Sequence, residues 1–386
     1  VESQNDLVEA QLNYDRSFGK IRLEGTTGYS WKDFTDDNFY AEGGDFINDT
    51  FGFNNIFEAR DFNRGDGTVS TFRNENRLIG FFGRTNFVID DTYFVSGALR
   101  REGSTRFGED NRWGTFFSMS GGVELTNLFD VDAVDQMKLR VSYGETGTDA
   151  PLNGLSQRRF SSGSSFLVDG EFVPSIGPVT NPNPDLKWEI KRELNVGVDF
   201  AALDTRLSGS LDFYQSNTDD LLLEINVPVP PNQAPTTWIN AAEISNTGFE
   251  AALNYDAIRN KNVLWTTGIT FSTNQSTLES YAAGRQTISH VGAPGLNDTP
   301  MILVAEGRDI GDIWGWEFSR IGDDGQWLFL DADGNEVGTD EIGAEDRRVI
   351  GNGLPDFELS WTNNVRYRNF DFSMFWRGAF GHDLVN

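Results

Sequence analysis

Met137-Lys138-Leu139-Arg140-Val141-Ser142-Tyr143-Gly144 alternates without a break. Successive side chains of a strand point to opposite faces, so Met137, Leu139, Val141 and Tyr143 share one side and Lys138, Arg140, Ser142 and Gly144 the other. The device recurs further along. Leu194, Val196, Val198 and Phe200 oppose Asn195, Gly197 and Asp199, and Leu207, Gly209, Leu211 and Phe213 oppose Arg206, Ser208, Ser210 and Asp212. A helical period is almost absent, and each such run reads as a strand with one apolar and one wet face.

Twelve runs of this kind fall near residues 6–15, 20–32, 75–90, 92–103, 112–127, 136–147, 187–201, 205–216, 247–256, 263–274, 356–368 and 370–381. Most reach ten residues or more, against about five or six for an ordinary globular strand. Their connections alternate in size. Short turns are expected at Arg16–Gly19, Asp90–Asp91, Leu128–Asp135, Ala202–Asp204, Ala257–Asn262 and Asn369, and long loops at Asp33–Asn74, Gly103–Asn111, Gly147–Leu186, Ser216–Asn246 and Asn274–Pro355. Short turns on one rim and long loops on the other describe a barrel of the outer-membrane type.

The wet face carries Arg22, Glu24, Arg84, Glu124, Arg140, Arg206, Asp212, Glu250, Arg366 and Arg377. A lumen lined this way must hold water or a polar plug. The apolar face ends in aromatics such as Tyr29, Trp31, Tyr143, Phe213, Trp361 and Trp376, as an interfacial girdle requires. The expected fold is all-β, an antiparallel transmembrane β-barrel with about twelve strands here and long extracellular loops.

Composition narrows the function. The 386 residues contain 31 Lys+Arg against 59 Asp+Glu, a formal charge of -28, no cysteine and two histidines. Phosphate binding needs clustered cations, so a nucleic-acid partner is excluded. The missing thiols remove disulfides, thiol nucleophiles and Cys-based metal sites. His290 and His382 stand without a neighbouring nucleophile, so no enzyme is expected. No run approaches the roughly 20 apolar residues of a spanning helix. The acidity is concentrated: Asp33–Thr71 holds nine acidic and two basic residues, and Gln275–Pro355 holds 15 and five.

Several motifs resemble those of a known family. Phe82-Gly83-Arg84-Thr85-Asn86-Phe87 is followed by Leu99-Arg100-Arg101-Glu102-Gly103-Ser104-Thr105-Arg106-Phe107-Gly108 and by Asn111-Arg112-Trp113-Gly114-Thr115-Phe116. Then come Leu139–Gly144, Asn183-Pro184-Asp185-Leu186-Lys187-Trp188-Glu189, Ser245-Asn246-Thr247-Gly248-Phe249-Glu250, Val349-Ile350-Gly351 with Pro355, and Asn369-Phe370-Asp371-Phe372-Ser373. In this order, from about residue 72 onward, they resemble the barrel of SusC-like (SusC/RagA) TonB-dependent transporters.

The resemblance implies a 22-stranded outer-membrane barrel of a Gram-negative bacterium, an N-terminal plug, a SusD-like lipoprotein lid and energy from the TonB complex. Its cargo would be an oligosaccharide or a peptide. Contact with lipid and lipopolysaccharide and a dimer of SusC–SusD pairs are implied as well. Residues 1–386 are then expected to be one partial barrel domain, without the plug, the TonB-contacting segment, the first strands or the last. The start of the chain has neither the basic nor the apolar region of a signal peptide. A binding or adhesion barrel without transport is the alternative function.

Two groups of loop residues are candidates for binding. Trp238, Trp314, Trp316 and Trp327 are placed in long loops, where flat aromatic faces suit sugars or apolar peptide side chains, and where packing is the competing role. Asp331, Asp333 and Asn335 set oxygen ligands at positions one, three and five of a Ca²⁺-type loop. The glycine falls at position four, however, and Ile342 stands where a bidentate Glu belongs, so a plain acidic turn competes. No cofactor is required.

Overall fold

The computed structural model describes residues 2–384 apart from 49, 51, 131, 282–286 and 291–299. Twelve long strands form one sheet in strict chain order. They are β1 (Glu2–Phe18), β2 (Ile21–Glu42), β3 (Thr68–Ile89), β4 (Tyr93–Ser104), β5 (Trp113–Glu124) and β6 (Val134–Thr148). Then follow β7 (Glu189–Ala202), β8 (Leu207–Asn226), β9 (Thr236–Arg259), β10 (Val263–Tyr281), β11 (Phe357–Tyr367) and β12 (Phe370–Phe380). Every neighbouring pair is antiparallel, so the wall is a continuous meander, and Arg308–Asp309 adds a short strand beside the loop end of β10.

The turns on one rim are tight because their residues accept left-handed backbone. Asp90 and Asp91 both have positive φ (53° and 51°), at the centre of a tight turn in which the Thr92 N–H donates to the Ile89 carbonyl at 3.0 Å. Asp is one of the few residues other than Gly that tolerates this region.

All twelve expected strands are present, but several run further toward the loops than their alternation showed. β2 and β3 continue as a ladder to Glu42↔Thr68, so the segment expected as the first long loop is paired strand at both its ends and only residues 43–67 connect the two strands. β8 and β9 pair out to Asn226↔Thr236, which reduces the loop expected over Ser216–Asn246 to residues 227–235. Trp238 therefore lies in β9 and not in a loop. Above the apolar band, outward positions turn polar: Asp33 faces Arg77 and Asp37 faces Arg73 across the two strands. Hydrogen bonding persists there without the apolar signal that marks a strand in sequence.

The two faces separate as the alternation requires. Leu99, Phe117, Met119 and Leu211 are exposed on the outer face. On the inner face Arg140 of β6 bonds Asp199 of β7 at 2.6 Å and reaches across that strand to Asp212 of β8 at 3.1 Å. Gly197 stands opposite both Arg140 and Asp212 in the register. A Cβ on Gly197 would lie 2.8 Å from Arg140 Nη2 and closer still to Asp212 Oδ1, so glycine is what lets the two charges meet.

Beyond the loop rim lie three small sheets. One joins Thr287–His290, Pro300–Val304, Asp312–Gly315 and Arg348–Asn352; one joins Phe318–Ile321, Trp327–Leu330 and Glu336–Gly338; and Phe160–Val168 pairs Glu171–Pro178. Short turns thus occupy one end of the wall and folded loops the other.

Candidate functional site: the loop layer

The loop layer begins with an aromatic core seated on the ends of the strands. Phe107, Phe116, Ala150, Leu186, Trp188 and Leu222 are buried together, with Leu78, Leu155, Ile190 and Trp238 packed against them. Trp188 meets Phe107 at 5.0 Å and Phe116 edge-on at 5.5 Å between ring centroids. The β5–β6 ladder ends at Ser118↔Gly144, and beyond it the Phe116 ring presses on Gly147, where no side chain would fit.

Polar staples fix this core to the strands. Arg106 donates to the Asn153 side chain and the Ala150 carbonyl, both at 2.8 Å, and approaches Asp149 at 3.4 Å. Burial pushes the Asp149 carboxyl up, and the Ser104 and Arg106 groups beside it pull the other way. Asn181 Nδ2 donates to the carbonyls of Ala234 and Thr236, Asn183 Nδ2 to that of Trp238, and Asn240 Nδ2 to those of Lys187 and Asp220. The 149–188 loop is thereby tied to the β8–β9 hairpin. Sequence reasoning assigned no role to Arg106, Asn153, Asn181 or Trp188. The available signal was a pair of Asn-Pro steps at the end of a nominally irregular stretch, with a large aromatic at the start of the strand run that follows.

The four candidate tryptophans do not converge. Trp238 belongs to the packed core just described. Trp314 lies in a strand of the four-stranded sheet, opposite Val349, and is half-buried. Trp316 donates Nε1–H to the Gly343 carbonyl at 2.6 Å and lies under the Arg347 guanidinium, 4.6 Å from its ring. Trp327, in a strand of the three-stranded sheet, keeps 60% of its surface exposed. With Phe318 and Ile321, also exposed, it flanks the buried Phe329. Of the four tryptophans Trp327 is the open one, beside Phe318, in a layer that also exposes Phe160, Phe166 and Phe172; Trp238 and Trp316 are engaged in holding it together.

Asp331, Asp333 and Asn335 do come together, in the hairpin turn after Trp327–Leu330. Asp331 Oδ1 accepts the backbone N–H of Asp333 at 2.9 Å and of Asn335 at 2.8 Å, while Oδ2 accepts Asn335 Nδ2 at 3.0 Å. These donors, the Asn335 amide first, hold the Asp331 carboxyl below its ordinary range. The Arg320 guanidinium, with help from Ser319, does the same for Glu336. Asp346 is used similarly, accepting from the backbone of Ala332 and Gly343. Among the described residues no group of three or more His, Asp or Glu side chains is gathered for a metal ion. His290 has its side chain outside the described residues.

A sequential antiparallel wall with an apolar exterior, a charged interior and loops sorted to one rim is the architecture of an outer-membrane β-barrel. The family model for the TonB dependent receptor-like β-barrel matches residues 2–381, and the chain belongs to that family. TonB-dependent receptor P3 of Formosa agariphila is 30% identical over 406 aligned residues, covering 99% of this chain and 39% of that protein. TonB-dependent receptor SusC of Bacteroides thetaiotaomicron is 27% identical over 322 residues, covering 80% of this chain and 32% of that protein. The chain spans about two-fifths of the length of the first of these relatives, and less of the second.

Among solved structures, the RagAB peptide importer in its closed-closed state aligns with a TM-score of 0.82 at 21% identity, over 98% of this chain and 41% of the other. The outer membrane transporter YddB of Escherichia coli aligns with a TM-score of 0.54 at 12% identity, over 95% and 40%. At these identities the likeness is one of fold. The chain is a SusC-like outer-membrane β-barrel wall of the TonB-dependent receptor family.

Proposed function

We propose that this wall belongs to an importer that carries oligosaccharides or peptides across the outer membrane, energised through the TonB complex and closed from outside by a SusD-like lipoprotein. The observation that carries the reading is the contrast between the inner face and the loop rim. Arg140, Asp199 and Asp212 form a fixed charged row on the inner face, whereas the loop rim carries folded sheets with an open aromatic surface at Trp327 and Phe318. Charged groups inside a barrel mark a wet or plugged passage rather than a packed core.

RagAB is a peptide importer and SusC a TonB-dependent receptor, which favours TonB-energised import by the wall described above. The acidic loop segment repels anionic polymers within about a Debye length, roughly 8 Å at physiological ionic strength. Neutral glycans and neutral or basic peptides therefore suit it. In this reading the lid rests on the loop layer, two such pairs assemble side by side, and Trp327 with Phe318 contacts cargo.

Uptake of fluorescent neutral oligosaccharides and peptides by cells carrying the full-length protein tests this directly. Accumulation of one class should be lost on deletion of the protein and on collapse of the proton-motive force by an uncoupler. Surface binding that survives the uncoupler with no accumulation inside would establish the adhesion reading instead.

A further inference from the structure

Near the loop rim the outer face of the wall carries a cation that no carboxylate beside it balances. Outward residues of β4 ascend from the turn rim as Tyr93, Val95, Gly97 and Leu99 and then reach Arg101. These eight steps cover about 27 Å along a strand at roughly 3.4 Å per residue. Tilted by about 40°, that is about 20 Å of membrane thickness, inside the apolar band of about 25 Å. Arg101 thus sits at the level of the aromatic girdle, where a bare cation is costly.

The next outward tier shows how the wall treats such charges elsewhere. Arg77 and Arg73 each bond a carboxylate on the adjacent strand, Asp33 at 3.0 Å and Asp37 at 2.6 Å. Arg101 stands opposite Phe81 on one side and Thr115 on the other. Among the described residues it forms no ion pair; its guanidinium lies over the Trp113 ring at 5.5 Å. Trp113 in turn stacks on Phe81 at 6.4 Å, and Phe81 packs on Tyr29 at 5.3 Å. The aromatic row holds the cation in place without neutralising it.

Directly below, toward the membrane centre, the same face is hollow. Gly25, Gly83 and Gly97 lie on three adjacent strands, and a Cβ on Gly83 would meet nothing within 4 Å, so crowding does not explain the missing side chains. Leu12, Leu99 and Phe117 flank this hollow of about 590 Å³. It is shallow and opens outward, on the face that meets lipid.

We propose that Arg101 binds the phosphate of an outer-leaflet glycolipid whose acyl chain fills the glycine-floored hollow. The planar guanidinium fork matches phosphate oxygens in pairs, and the loop rim is the extracellular side, so the lipid comes from the outer leaflet. The inference goes beyond import and rests only on the barrel.

Native mass spectrometry of the detergent-purified full-length transporter tests it, with bisphosphorylated lipid A and its dephosphorylated form as probes. Wild type should retain the phosphorylated lipid about tenfold more tightly, the scale of one charge-assisted contact. Arg101→Gln should erase that preference, and Arg101→Lys should keep part of it. Gly97→Leu, which fills the hollow with a lipid-compatible side chain, should weaken both lipids alike. Heat-dependent gel mobility checks that each variant still forms its barrel. Equal retention of the two lipids by wild type, or an undiminished preference in Arg101→Gln, would overturn the proposal. So would complete competition by millimolar inorganic phosphate, which would show an anion site indifferent to lipid.

Discussion

The wall and the loop layer are both β-structure, yet they hold their backbones by different means. In the wall nearly every peptide group is paired along ladders as long as the 22 residues shared by β2 and β3, and side chains are left free to face lipid or lumen. In the sheets of the loop layer the strands shrink to three to nine residues. Side chains such as Arg106, Asn181 and Asp331 supply the missing hydrogen-bond partners. A lipid environment forbids unpaired backbone, so the wall has one solution. Water tolerates many, and the loop layer uses them to present particular side chains.

The largest expected effect separates the two regions. Trp188→Ala removes the centre of the aromatic core and should destabilise the loop layer by about 3–5 kcal/mol, the usual range for truncating a buried large aromatic. Limited proteolysis of the full-length protein should then nick the 149–188 loop, while the heat-resistant mobility of the barrel is retained. If the barrel melts together with the loop, wall and loops form one cooperative unit and the division drawn above is wrong.

Within the wall, adjacent residues should differ almost as much. Val141 faces outward and Ser142 inward beside Asn195. Val141→Lys should cost up to about 2–4 kcal/mol near the bilayer midplane, whereas Ser142→Lys should change little. Urea titration of the full-length protein refolded into vesicles measures both. The reverse ranking would place the lumen on the other face, because a shift of one residue exchanges every side chain.

A smaller effect is expected where the loop layer meets cargo. Trp327→Ala combined with Phe318→Ala should weaken capture by about 1–2 kcal/mol, roughly tenfold in affinity, with insertion unchanged. Trp316→Ala serves as the contrast, since that ring is bonded to Gly343 and Arg347 and should alter loop stability first. Calorimetric titration with cargo distinguishes them. Unchanged affinity in the double variant would return Trp327 to a packing role.

The wall was legible in the sequence wherever lipid imposed alternation, as at Met137–Gly144 and Leu207–Phe213. It ceased to be legible above the apolar band, where Asp33, Asp37, Arg73 and Arg77 continue the ladder with charges outward. Trp238 was misplaced for that reason. The candidate site was read only as residue types. Four tryptophans look alike in a sequence, and the long-range contacts that pack Trp238 against the aromatic core, bond Trp316 and leave Trp327 open depend on how distant loops fold together. The Asp331 turn was partly legible: its spacing gave an oxygen-rich turn, but not that Asp331 would turn its carboxylate toward the N–H groups of its own hairpin.

The smallest effect concerns that hairpin and acid. Asp331 and Glu336 are carboxylates held below their ordinary range in the folded state, by the Asn335 donors and by Arg320. For a depressed carboxylate the folded form binds its proton later than the unfolded one. Its stabilisation is therefore complete above the unfolded value, about 3.9 for Asp and 4.3 for Glu, and is lost as pH falls through the lower folded value. Both groups are exposed, so the contribution is modest and screened by salt. In the full-length protein, Trp327 emission should stay constant from pH 7 to about 5 and shift as the pH drops below about 4, where these carboxylates take up protons. Asp331→Asn keeps an oxygen acceptor for the turn but cannot titrate at that position, so its shift should be shallower and leave the part due to Glu336. An identical acid profile in the variant would show that Asp331 does not hold the hairpin in place and that the ion pair between Arg320 and Glu336 governs it.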